Sequence, residues 1–170
     1  MILRFTLTEW AKYQTQLGPR LFSAGKRGLV SAAARSIPIL QGRTRTAPPA
    51  NPGGVGIGGA VNTGRFLGAW RSQLIEGGAE VRNDAPYSAV IEGGRRAGAA
   101  MPPRKVMAEW AQRRLGLSAA EAKRIAFVLA RAIARRGLKP RKILKDAIPA
   151  IRTAAREEMD REIQRELSSK

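Results

Sequence analysis

The sequence predicts an α+β fold: a small antiparallel β-sheet packed with helices, a helical insertion and a long C-terminal helix. Three observations predict it. Alternating apolar and polar residues over Ile2–Leu7, 69–75 and 79–83 read as short strands, the last two joined by the turn signal Gly77-Gly78. From Arg104 onward, apolar residues recur at helical spacing between recognisable caps. The chain of 170 residues has room for one real core. We therefore expect a domain over residues 1–150, with a flexible loop at 42–62 and a helical insertion at 102–136, followed by a helical extension over 151–170.

Leu3, Phe5 and Leu7 share one side of the first strand. Thr8 and Glu9 then open a helix in which Trp10, Tyr13 and Leu17 share a face until Gly18-Pro19 breaks or kinks the rod. The helical pattern resumes through Leu21, Phe22, Leu29, Val30 and Ala33 to about Arg35. Ile37-Pro38-Ile39-Leu40 reads as an edge strand, since an interior helical proline loses a donor and clashes one turn back. From Gly42 to Asn62, six Gly and three Pro in 21 residues, with Arg43 and Arg45, read as a long flexible loop. Gly54, Gly56, Gly58 and Gly59 evoke a phosphate cradle, but the Lys-Ser/Thr of a P-loop is missing.

Thr63–Gly68 forms a turn of helix before the hairpin, and Tyr87, Val90 and Ile91 make a short helix closed by Gly93-Gly94. Gly93–Met101 is a second basic loop, carrying Arg95 and Arg96. Pro102-Pro103 precede a helix from about Arg104 to Leu115, with Val106, Met107, Trp110 and Ala111 on one face. Ser118-Ala-Ala-Glu121 is a capping box opening a helix that ends at Gly137. Its Ala122, Ile125, Ala126, Leu129 and Ile133 look core-like. Arg124, Arg131 and Arg135 align within about one-ninth of a turn, as a solvated face or one turned to phosphate or a partner. A final helix runs from Lys139-Pro140 to Leu167, kinked at Pro149. Its Ile151, Ala155, Met159, Ile163 and Leu167 repeat every four residues and are subunit-packing candidates, although the domain itself would serve equally as their cover.

The net charge is +18, from 31 Lys+Arg against 13 Asp+Glu. Residues 1–63 carry 8 basic and 1 acidic, 64–150 carry 18 and 7, and 151–170 carry 5 and 5. Arg outnumbers Lys, which suits planar contact with phosphate or carboxylate. Such a field attracts nucleic acid or an acidic protein alike. Arg43, Arg45, Arg95, Arg96, Arg124, Arg131 and Arg135 are the partner- or DNA-facing candidates, and Arg104 and Lys105 are solvated or face an acidic partner. A secretory signal is not expected at Met1–Leu7, and the apolar run Ile125–Ala134 is too short and too charged to span a bilayer, so a soluble, cytoplasmically made protein is expected.

With no His and no Cys, imidazole and thiolate chemistry, tetrahedral zinc and disulfides are excluded. Asp84, Asp146 and Asp160 are isolated, and Glu157, Glu158, Asp160 and Glu162 lie among Arg156, Arg161 and Arg165 as a salt-bridged helix surface. No catalytic, cofactor-binding or metal-binding residue is nominated, and an enzyme is not expected.

Three stretches stand in order: Asn62-Thr-Gly-Arg-Phe-Leu-Gly-Ala-Trp-Arg, Glu80-Val-Arg-Asn, and Ala85-Pro-Tyr-Ser-Ala-Val-Ile-Glu-Gly-Gly94. With Pro140-Arg-Lys-Ile-Leu-Lys-Asp-Ala147 they resemble the neck or tail-completion proteins of long-tailed phages, lambdoid and Mu-like, over roughly residues 62–94 and 137–148. Gly93-Gly94 replaces that family's Glu-aromatic-Gly, Ile143 stands where Phe is common, and the insertion at 102–136 is similar to virion-morphogenesis proteins of Mu-like phages. The resemblance implies an α+β virion subunit without catalytic role or cofactor. It would form a six- or twelvefold ring between a head connector, adaptor or stopper and a tail terminator or tail tube, with DNA in the lumen. Tyr87 and Glu92 match family positions; Tyr87 and Trp70 are read as core. The alternative function is nucleic-acid binding through the arginine-rich helix and loops.

Overall fold

A computed structural model describes residues 2–6, 18–51 and 59–168. The helix expected over Trp10–Leu17 and most of the glycine run lie outside them. The strands are β1 (Ile2–Thr6), β2 (Trp70–Ile75) and β3 (Gly78–Asn83), and the first long helix is α1 (Pro19–Thr46). α2 (Ser88–Gly93), α3 (Arg104–Leu115), α4 (Ala119–Arg136) and α5 (Ile143–Ser168) follow the hairpin. The α+β class is as the sequence predicts.

The sheet is antiparallel in the order β1-β3-β2, so the hairpin's second strand is central. Leu3 opposes Val81 and Phe5 opposes Ala79, while Trp70 opposes Asn83 and Ile75 opposes Gly78. The turn is therefore Glu76-Gly77, one residue earlier than the Gly-Gly signal placed it. β3 is buried at every position but Arg82, whereas β2 is buried only at Trp70 because it forms the edge.

α1 overturns two expectations. Pro19 starts the helix, where its missing N–H costs nothing, and the helix continues through Pro38 to Thr46. The edge strand at 37–40 is thus helical, and residues 42–46 of the supposed loop form its last turn. Leu40 and Thr44 are fully buried in that stretch, and Ile37 and Ile39 pack on the core, which outweighs an interior proline costing about 3 kcal/mol. The described residues on either side of 52–58 are also tied down: Gly59 N–H donates to the Ala47 carbonyl, Ala60 N–H to Thr44, and Lys139 N–H to Ala50.

α5 starts at Ile143, not at Lys139-Pro140, and stays helical across Pro149 and across the boundary expected at 150/151. Residues 151–168, expected as a helical extension, continue the same helix. α1 and α5 lie side by side in opposite directions, Arg20 beside Glu166 and Arg35 beside Glu158. Buried positions repeat every four residues on both: Ala24, Gly28, Ala32, Ser36, Leu40 and Thr44 face a stripe of Ala147, Ile151, Ala155, Met159 and Ile163. Four of the five subunit-packing candidates are therefore covered by their own chain, and Leu167 alone is half exposed. The acids of α5 also serve this pairing. Arg20 reaches Glu166 at 2.9 Å, Arg27 reaches Glu166 at 2.7 Å and Glu162 at 3.3 Å, and Arg35 reaches Glu157 at 2.7 Å.

The main core joins Leu40, Phe66, Trp70, Val81, Ala85, Ile143, Leu144 and Ile151 between sheet, α1 and α5. Within it Trp70 Nε1–H donates to Thr44 Oγ1 at 3.0 Å, and that hydroxyl donates to the Leu40 carbonyl at 2.7 Å. α3 and α4 form a hairpin whose principal contact is with each other, as the insertion reading anticipates. Val106, expected on the buried face of α3, is half exposed; Ala111, Ala122, Ala126 and Ala130 form the buried seam.

Candidate functional site

The segments that carry the resemblance meet in space. The β-hairpin is latched by Asn83, whose Nδ2 donates to the Phe66 carbonyl at 2.9 Å and whose Oδ1 accepts from Ala85 N–H. Phe66 lies edge-on to Trp70 and stacked on Tyr87, ring centroids 5.7 and 6.1 Å apart. Trp70 is core as expected. Tyr87 is not: it is 40% exposed, resting on the outer side of Phe66.

α2 then delivers Glu92 to the start of α5. Its carboxylate oxygens accept from the backbone N–H groups of Leu144 at 3.1 Å and Lys145 at 3.0 Å. Four N–H groups at any helix start lack an intrahelical partner, and here a side chain 52 residues upstream satisfies two of them. Arg141 N–H donates to Ile91 and Lys142 N–H to the Glu92 carbonyl. Arg95 and Leu138 exchange both backbone hydrogen bonds, at 2.9 and 2.8 Å. Gly94 and Gly137, at φ 74° and 73°, flank this crossing. A Cβ at Gly94 would stand 2.5 Å from the Leu138 carbonyl oxygen, and one at Gly137 2.3 Å from that of Arg95. The α3–α4 hairpin thus leaves and rejoins the body through one closed neck.

That neck bears on the second basic loop and on Arg95. Residues 93–101 are held in place, with Gly98 N–H on the Ala134 carbonyl. Arg95 is half-buried, its guanidinium turned onto the Ala100 carbonyl with Nε enclosed, so it clamps its own loop. Arg141, read only as a motif residue, donates to the Gly59 carbonyl; burial first, then the charge of Arg114, push its pKa down.

The remaining arginine candidates are exposed. Arg43 and Arg45 occupy the last turn of α1, where cations oppose the helix dipole, and Arg96 sits beside Gly137 at the hairpin base. Arg124, Arg131 and Arg135 all project from α4 into solvent, as the spacing predicts. Phe127 and Val128, which the sequence reading passes over, share that arc and are 39% and 61% exposed. The Arg104 guanidinium lies 4.7 Å above the Phe127 ring. Their positions three and four residues after Arg124 were the available signal. The expected capping box opens α4: Ser118 Oγ accepts from Glu121 N–H, and the Ser118 hydroxyl, with help from its backbone N–H, holds the Glu121 carboxyl below its ordinary pKa.

Among the described residues, no three acidic, His or Cys side chains are grouped to hold a metal ion, and no helix is long and apolar enough to cross a membrane. No protein-family model, curated protein or solved structure matches the chain.

Proposed function

We propose that the chain is a structural virion protein of a phage neck. It is made in the host cytoplasm and forms a six- or twelvefold ring joining the head connector, adaptor or stopper to the tail terminator or tail tube, with DNA passing through the lumen. The observation that carries this reading is the Glu92 contact with α5. It ties the segment 62–94 to 137–148, so the motifs that resemble the neck and tail-completion family form one contiguous unit although 42 residues of chain, 95–136, intervene. Short motifs scattered over a surface would give the resemblance little weight; these motifs hold each other in place as one packed unit. Catalysis and a bound cofactor have no part in this reading. Mass spectrometry of purified, mature particles tests it: the chain should be present at a stoichiometry of six or twelve per particle, and its absence sinks the proposal.

A second reading, nucleic-acid binding without sequence preference, draws on the common exposure of Arg124, Arg131 and Arg135. Several phosphate contacts would make log affinity fall steeply with log salt. No measurable duplex binding near physiological salt removes it.

A further inference from the structure

We propose that the outer face of α4 is a docking surface for a separate acidic protein that flanks its carboxylates with apolar side chains; this does not depend on the virion reading. Arg124, Phe127, Val128, Arg131 and Arg135 fall within about 100° of one helix face, and Arg104 reaches over from α3 to lie on Phe127. Two sizeable apolar side chains, Phe127 and Val128, stand exposed on either side of this arginine stripe. Residues 102–137 of this hairpin carry nine Lys and Arg against two acids, and both acids are occupied, Glu109 by Arg113 and Glu121 by the cap of α4.

The stripe's chemistry calls for carboxylates, and most of the chain's described ones are engaged elsewhere. Glu157, Glu158, Glu162 and Glu166 pair with α1, Glu80 and Asp84 with Arg82, and Glu92 caps α5. Of the other described acids, Glu76 sits in the hairpin turn, and Asp146 and Asp160 lie 14 residues apart on α5. Among its described residues, a second copy therefore offers few carboxylates that are not already engaged. Phosphate backbones reward cations and hydrogen-bond donors but give no return for burying Phe127 and Val128, whereas a protein surface that flanks carboxylates with apolar side chains answers both.

The test uses the full chain and two fluorescent probes at physiological salt: an acidic amphipathic peptide of about 20 residues with Glu and Leu at helical spacing, and a DNA duplex of about 20 base pairs. The peptide should bind more tightly than the duplex. R124E/R131E/R135E should weaken it at least tenfold, and a peptide with Lys in place of Glu should bind that variant instead. F127S/V128S should weaken the peptide at least fivefold and change duplex binding less than twofold. All five positions are exposed, and circular dichroism of each variant verifies the fold. Tighter binding of the duplex, insensitive to F127S/V128S, assigns the face to nucleic acid and overturns the proposal, as does failure of the acidic peptide to bind.

Discussion

Gly28 of α1 lies so close to α5 that a Cβ built on it would stand 2.7 Å from the Met159 Cα. No side chain larger than hydrogen fits there without parting the helices, because the obstacle is backbone. Gly28→Val should cost roughly 1–3 kcal/mol by overpacking, lowering the melting temperature by about 2–4 °C per kcal/mol. Thermal denaturation followed by circular dichroism measures it; an unchanged midpoint would mean that the α1–α5 contact is looser than described.

Thr44 offers a second point of attack, since its buried hydroxyl accepts from the Trp70 indole and donates to Leu40. Thr44→Val keeps the volume and deletes the acceptor, leaving a buried N–H unmet at a cost of roughly 1–3 kcal/mol. Thr44→Ser should recover most of that loss in urea titrations.

Glu92→Ala removes the carboxylate from the start of α5, and a lost cap costs about 1 kcal/mol. The specific readout is amide hydrogen exchange. Leu144 and Lys145 N–H groups should lose protection first, before amides in the middle of α5.

The ladder between α1 and α5 carries a pH signature. Hydrogen bonds from Arg27, then from Arg20, hold the Glu166 carboxyl below its ordinary pKa of 4.5. A carboxyl depressed in the folded state stabilises above its unfolded pKa and loses that contribution as pH falls through the folded one. The melting temperature should therefore drop on acidification from pH 5 toward 3, and Glu166→Gln should flatten that part of the dependence. Since the pair is solvent-exposed, high salt should shrink the difference between the two proteins.

Local signals made much of this fold readable. The hairpin at Trp70–Asn83, the capping box at Ser118 and the left-handed closure of α3 at Gly116 each have their cause within a few residues. What escaped was set at long range. Pro38 reads as a helix breaker until Leu40 and Thr44 are known to be buried against the sheet and α5. The apolar stripe of α5 looks uncovered because its partner, some 120 residues earlier, presents Ala24, Gly28, Ala32 and Ser36, small residues with little apolar signal. Their spacing of four was visible; that it matched the spacing on α5 became meaningful only once the helices were side by side. Among the site residues, exposure of the α4 arginines followed from helical spacing, whereas the inward turn of Arg95 depends on its bridge to Leu138, 43 positions away.

The ring is the central claim, and electron microscopy of the assembled particle tests it most directly, because symmetry and position are read together. The account predicts six or twelve copies of the α1–α5 pair and its sheet, arranged around a DNA-sized lumen between head and tail. Density at that junction into which this fold cannot be placed, or this chain found only elsewhere in the particle, would contradict it.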